Sequence, residues 1–293
     1  MSEGTHRLNI VSGVLLNLGD NKAFVPNPTG IHSIGFPDMQ TELHSINSRN
    51  EMTRIVVEKM RAYVLQNCPD AISMLEFYGD LSPERVTNEE ILSESSWVVY
   101  SSGFRYDIVK KYWKSIREAF HDFDVAEVAS FCDDIDTHAK RICNMSGFRN
   151  LRKAVWCIQN AHRIIELDSQ RRATGGLRGY FVSVSRKKTC DLVKLAPTLV
   201  RELGFKGIGN TTIFHLMKNL GIDIFKPDIH VRRVLANLGL IQSENAAVPE
   251  ICAAMLLLSS ESGMRIVELD SLLFLYGQIG GDYVHPVQPR SGG

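Results

Sequence analysis

Apolar residues fall three and four positions apart through most of the chain after residue 50, the spacing that lines one face of a helix. The pattern runs through MTRIVVEKMRAYVLQN, EEILSESSWVVYSS, YDIVKKYWKSIREAF, LRKAVWCIQNAHRIIEL, APTLVREL, TTIFHLMKNL, IHVRRVLANL, VPEICAAMLLLSS and ELDSLLFLYGQIG. Asp, Ser, Thr or Asn stands near several of their starts, where a side-chain oxygen can take an orphan amide. Helices with one apolar face bury it against one another, so a mainly α fold of packed helical layers is expected. Only the first 48 residues break the rhythm. There LNIVSGVLLNLGDNKAFV has β-prone stretches around a GDN turn, ahead of a loop rich in Pro, Gly and His.

With 293 residues and 44% hydrophobic content, the chain can bury one large core or two moderate ones. No apolar run approaches the roughly 18 residues of a membrane-spanning helix. The start, MSEGTHRLNI, lacks the charged-then-apolar layout of a signal peptide. Cysteines at 68, 132, 143, 157, 190 and 252 show no CxxC and no pairing rhythm. They are expected to be buried free thiols in a reducing compartment, with no metal site.

Net charge is zero, yet charge is segregated. Residues 149–188 carry ten Lys/Arg against two acids, whereas 118–136 carries seven acids and no Lys/Arg. Residues 67–96 are also acidic, with seven Asp/Glu and one Arg. A basic band can hold a polyanion on one face, or it can be ordinary solvated surface.

The stretch GFKGIGNTT, residues 204–212, joins two helical runs through closely spaced glycines. It is not GxxxxGK[ST], because Gly209 is followed by Asn210, Thr211 and Thr212. Nor is it a GxGxxG loop, since a helical run precedes it rather than a strand. A tight turn between helices leaves the N–H groups of Gly207, Gly209 and the next helix start as donors for a phosphate oxygen. Lys206 and the hydroxyls of Thr211 and Thr212 would add to them. The alternative is a capping glycine followed by an N-cap Asn, with no ligand.

Read through to GFKGIGNTTIFHLMKNLGIDIFKPDIHVRRVLANLGL, the segment resembles the helix-hairpin-helix plus Gly/Pro/Asp signature of base-excision DNA glycosylases. WVVYSSGFRYDIVKKYWKSIREAFHDFDVAEVASF and LVRELGFKGIGNTTIFHLMKNLG are also similar to parts of 3-methyladenine DNA glycosylase I. GFRNLRKAVWCIQNAHRI resembles the helix that follows in the wider superfamily. The resemblance implies a two-lobed helical glycosylase domain over residues 86–285, with its hairpin at 198–221. Residues 1–85 would be an extension packed on that domain, and 286–293 a flexible tail. Val98 stands where the methyladenine enzymes carry a base-recognising Glu, and their Cys/His zinc ligands are missing. No cysteine cluster follows the last helix, which excludes the iron–sulfur branch. Thr211 stands where bifunctional members carry a nucleophilic Lys, so lyase chemistry is not expected.

Breaking an N-glycosidic bond builds positive charge on the sugar, which a fixed carboxylate stabilises while it orients the attacking water. Asp228, after Pro227 and at a helix start, is the candidate for that role, as well as that helix's N-cap. His230 either faces DNA or packs in the core. Of the adjacent Arg232 and Arg233, one at most reaches a phosphate and the other makes a surface pair. In SSGFRYD, Phe104, Arg105 or Tyr106 would fill the gap left by an everted nucleotide, or the two aromatics are core. Trp97, Tyr100 and Trp113 either line an aromatic base pocket or are core. The stretch QRRATGGLRGYFVSVSRKK, basic and with a flexible Gly-Gly, offers a second phosphate contact or a solvated loop.

The expected activity is therefore a monofunctional DNA glycosylase that releases a modified base, first an alkylated purine, and leaves an abasic site. A bulky modified base such as occurs in phage DNA is the alternative substrate, and a non-catalytic helix-hairpin-helix DNA binder the alternative function. The partner would be double-stranded DNA carrying a modified base, bound by a monomer away from membranes. No redox cofactor is needed, and the resemblance implies a monovalent cation at the hairpin carbonyls. The compartment would be bacterial cytoplasm at the nucleoid, or a eukaryotic nucleus.

Overall fold

The computed structural model describes residues 49–68 and 71–279. Its helices are α1 (Arg49–Asn67), α2 (Ala71–Asp80), α3 (Asn88–Ser101), α4 (Tyr106–Ala119), α5 (Val125–Ser130), α6 (Ile135–Ser146) and α7 (Leu151–Gln170). They continue as α8 (Gly176–Ser185), α9 (Thr189–Leu203), α10 (Thr212–Asn219), α11 (Ile229–Asn237), α12 (Val248–Ser262) and α13 (Ile266–Ile279). No strand occurs among the described residues, as a mainly α chain requires. The β-prone stretch expected near the N-terminus lies outside them.

Two compact units divide the chain. One runs from Asp80 to Lys226; the other takes in the described residues from Arg49 to Gly79 together with those from Pro227 to Ile279. In the Asp80–Lys226 unit, α7 is the central helix, with α3, α5, α6 and α8 packed around it. Its buried stripe is Ala154, Cys157, Ile158, Ala161, Ile164 and Leu167. Local chemistry sets the starts of these helices. Thr87 and Glu90 form a reciprocal capping box at α3, the Thr87 hydroxyl taking the Glu90 amide at 3.2 Å. Asn150 caps α7 by accepting from the Lys153 amide at 3.2 Å.

In the other unit, α1 packs on α12 and α13, and α13 packs on α11. Tyr63 and Tyr276 meet edge to face at 5.6 Å between ring centres. Gly277 lets α11 close on α13, because a Cβ there would sit 3.1 Å from the Cβ of His230.

Part of the stretch read as flexible and basic is helical. Gly175 and Gly176 adopt left-handed φ values of 88° and 70° and turn the chain straight into α8. Asp168 fixes the turn by accepting the Leu177 amide at 2.8 Å, in space that a Cβ on Gly176 would fill. The glycines are there for a tight capped turn. None of the six cysteines is in a disulfide; Cys143, Cys157 and Cys252 are buried as expected, whereas Cys68, Cys132 and Cys190 are only half-buried.

Candidate active site

The glycine turn is built on α7. Helix α9 ends at Gly204, left-handed at φ 65°, whose amide returns to the Val200 carbonyl at 2.9 Å. Asn160 then grips the turn from both sides. Its Oδ1 accepts the Lys206 amide at 2.7 Å, and its Nδ2 donates to the Lys206 carbonyl at 3.1 Å. The Asn160 side chain is thereby satisfied in a fully buried position. One turn along, Arg163 donates to the carbonyls of Leu203 at 2.9 Å and Glu202 at 3.2 Å. The Lys206 side chain is left exposed.

The two glycines of the turn have different physical reasons. Gly207 sits at φ 77°, and a Cβ there would lie 2.8 Å from the Trp156 ring and 3.0 Å from Val99. Gly209 has nothing within 4 Å of the place its Cβ would take. Its amide was expected to point at a ligand; here it donates to the Thr212 hydroxyl at 2.7 Å. That oxygen also donates to the Gly209 carbonyl at 3.3 Å, and Ile213 closes the first helical turn on the same carbonyl at 2.9 Å. Asn210 and Thr211 are exposed at the head of α10, where the first amides of a helix have no intrahelical acceptor.

The carbonyls of Glu202, Leu203, Lys206 and Gly209 already take protein donors, and the Arg163 guanidinium stands on two of them.

Helix α3 and the turn after it carry the aromatic candidates. Tyr100 is fully buried against Phe148 and Phe120, at 5.3 and 6.4 Å between ring centres, so it is core and lines no open pocket. Val98 is equally buried. Trp97 is half-buried and meets Trp113 edge-on at 4.9 Å and Tyr106 at 5.7 Å. Phe104 stands 42% exposed on the turn between α3 and α4. Arg105 is exposed beside it and forms a two-point pair with Asp107, at 3.1 and 2.9 Å.

Asp228, His230 and Arg232 belong to the other unit. Asp228 caps α11, its Oδ1 accepting from the amides of His230 at 3.0 Å and Val231 at 3.1 Å. The His230 ring meets Phe274 of α13 at 5.3 Å, which is the packed alternative rather than the DNA-facing one. Arg232 was expected at a phosphate, but its guanidinium braces the cap. It donates to the carbonyls of Pro227 at 3.0 Å, Glu244 at 3.2 Å and Ala246 at 2.6 Å. Arg233 makes the surface pair, with Glu244 at 3.1 Å.

Two charged groups that the sequence did not single out lie in the Asp80–Lys226 unit. One is the Lys153 amine, buried in the first turn of α7. Glu94, half-buried on α3, accepts from Asn219 of α10 at 2.8 Å. Burial lifts its carboxyl from 4.5 to about 7, opposed by the Asn219 bond. The fold thus favours the protonated form. The resulting stability is complete below pH 4.5 and is lost as pH rises to about 7. Glu94→Gln, which keeps an acceptor for Asn219 and carries no charge, is expected to remove this loss. At pH 8 it should exceed the parent by at most about 3 kcal/mol in urea unfolding, with little difference at pH 4. Equal curves at both pH values would show that Glu94 is solvated.

No helix among the described residues is long and apolar enough to cross a membrane, and none of their His, Cys, Asp and Glu side chains cluster as metal ligands. No curated protein and no solved structure matches the chain. The hairpin, its α7 clamp and the Trp97–Tyr106 segment all fall within a match to the methyladenine glycosylase family model. That match covers residues 96–224, and over this segment the chain is similar to methyladenine glycosylases.

Proposed function

We propose that this protein is a monofunctional DNA glycosylase that hydrolyses the bond between deoxyribose and an alkylated purine. The observation that carries the reading is a preset glycine hairpin, clamped by Asn160 and Arg163, inside the methyladenine glycosylase segment. In this reading the exposed head of α10, with Lys206 and Thr211, holds the DNA backbone. Gly209 leaves the room a phosphate needs. Phe104 enters the stack where the nucleotide leaves it, and Arg105 lies beside the neighbouring phosphate.

Trp97 and Tyr106 are the half-buried aromatics that would receive the base. A base that is methylated on a ring nitrogen is cationic, and aromatic faces attract cations. Asp228 stabilises the positive charge that develops on the sugar and takes a proton from the attacking water. Water supplies the oxygen at the sugar carbon, and the base leaves with the bonding electron pair. Thr211 offers no amine for a covalent sugar adduct.

The test is to incubate the full chain with duplexes carrying different modified bases, identify released base by mass spectrometry, and then add alkali. Free alkylated purine with strand breaks only after alkali is the expected result. Breaks without alkali would contradict the Thr211 argument. Binding without release from any duplex would favour a non-catalytic binder, a reading that gains weight because Asp228 lies beyond the matched segment.

A further inference from the structure

Lys153 is a buried ammonium with 6% of its surface exposed, and no carboxylate pairs with it among the described residues. Its place is costly twice over. Removing an ammonium from water is unfavourable, and the third residue of α7 lies at the positive end of the helix dipole. Burial accordingly pulls its pKa down. What the amine does there is specific. It donates to the carbonyls of Val99, in the last turn of α3, and of Ser102, at 2.8 Å for the latter. These oxygens belong to the negative end of α3, where a cation is favourable. The same ammonium lies 5.2 Å from the centre of the Phe104 ring, which also leans edge-on against Phe148 at 5.1 Å.

The turn so held is short and exposed. Ser102 closes on Val98, Gly103 takes the left-handed φ of 78°, and Phe104 returns its amide to Ser101 at 3.2 Å. An exposed aromatic ring would gain from collapsing onto the nearest apolar surface. Here one cation fixes the backbone below the ring and attracts its face, which keeps the ring standing.

We propose that Lys153 is a positioning residue that presets the Ser102–Arg105 turn, so that Phe104 enters the DNA stack without a loop rearrangement. The inference rests on the glycosylase reading, and it assigns to Lys153 no contact with substrate. Lys153→Met removes the clamp, while the hairpin keeps its own anchors, Asn160 and Arg163.

The probe is a duplex with a tetrahydrofuran abasic analogue and 2-aminopurine at the neighbouring position, whose fluorescence rises when a side chain unstacks it. Lys153→Met is expected to cut that rise about fivefold or more, with duplex affinity kept within about twofold of the parent. Lys153→Gln, which keeps one donor for a carbonyl, is the milder variant and should fall about twofold. Lys153→Arg, which keeps the charge and the donors, should restore at least about half of the parental rise. A parental rise in both Lys153→Met and Lys153→Gln, alongside a loss in Phe104→Ala, overturns the proposal alone. A parental rise in Phe104→Ala overturns the wedge role and the proposal with it. No rise from the parent protein, on a duplex it binds, overturns the base-eversion reading itself.

Discussion

Asp228→Asn is expected to slow base release by about a thousandfold while duplex affinity stays within about twofold of the parent. The substitution is informative because Asp228 has two jobs in the proposed scheme, and Asn can do only one. As an N-cap, Asp228 accepts the amides of His230 and Val231 through a single oxygen. The side-chain oxygen of Asn caps as well as that of Asp, so α11 should keep its start and its stability. What disappears is the negative charge. A neutral amide neither stabilises an oxocarbenium-like sugar nor takes a proton from water.

Asp228→Ala removes both functions and should add a stability loss of about 1 kcal/mol. Single-turnover release of base, with anisotropy for binding and thermal melting for the fold, separates the cases. Release by Asp228→Asn at close to the parental rate would take Asp228 out of the mechanism. The carboxylate would then have to be sought in the Asp80–Lys226 unit, and Glu94 would be the first to test there.

The helices that were legible in the sequence are those with a long apolar stripe and a cap. The run 151–167 of α7 is one, with Asn150 at its start and Ala154, Cys157, Ile158, Ala161 and Ile164 buried. The short helices α5 and α6 were hidden by the acids that flank them, Asp122, Asp124, Asp133 and Asp134, which read as a charged surface although Val125, Val128, Ala139 and Ile142 are buried. Helix α8 was hidden by its glycines. A Gly-Gly pair is a loop signal unless something fills the space above it, and Asp168 does so from a helix earlier in the chain.

The hairpin could be read because its glycines are local. Its anchors could not. Lys153 and Asn160 occupy the buried stripe of α7, seven residues apart, and a polar residue on an apolar stripe is the trace such anchors leave. Nothing in the sequence says which carbonyls, some fifty residues away for Lys153, they will meet. Arg232 shows the same limit in reverse. Adjacent arginines after a Pro-Asp pair suggest phosphates, but the carbonyls of Glu244 and Ala246 arrive from a loop that follows.

The paired substitutions Gly207→Ala and Gly209→Ala should have opposite signatures. At Gly207 a methyl group meets the Trp156 ring at 2.8 Å with the backbone at φ 77°, which L residues other than Gly adopt at a cost. Left-handed strain and overpacking together are expected to lower stability by about 3 kcal/mol, or roughly 10 °C in melting temperature. DNA affinity would fall as a consequence of the distorted turn.

At Gly209 a methyl group meets open space, so the melting temperature should stay within about 1 °C of the parent, or rise slightly because the unfolded chain loses freedom. If that space is where a DNA phosphate approaches the backbone, affinity should still drop about tenfold, with a shallower dependence on salt. A stable Gly209→Ala protein that binds DNA like the parent would mean that Gly209 is only a capping residue. The glycine turn would then be a structural joint between α9 and α10, and the contact with DNA would have to lie elsewhere.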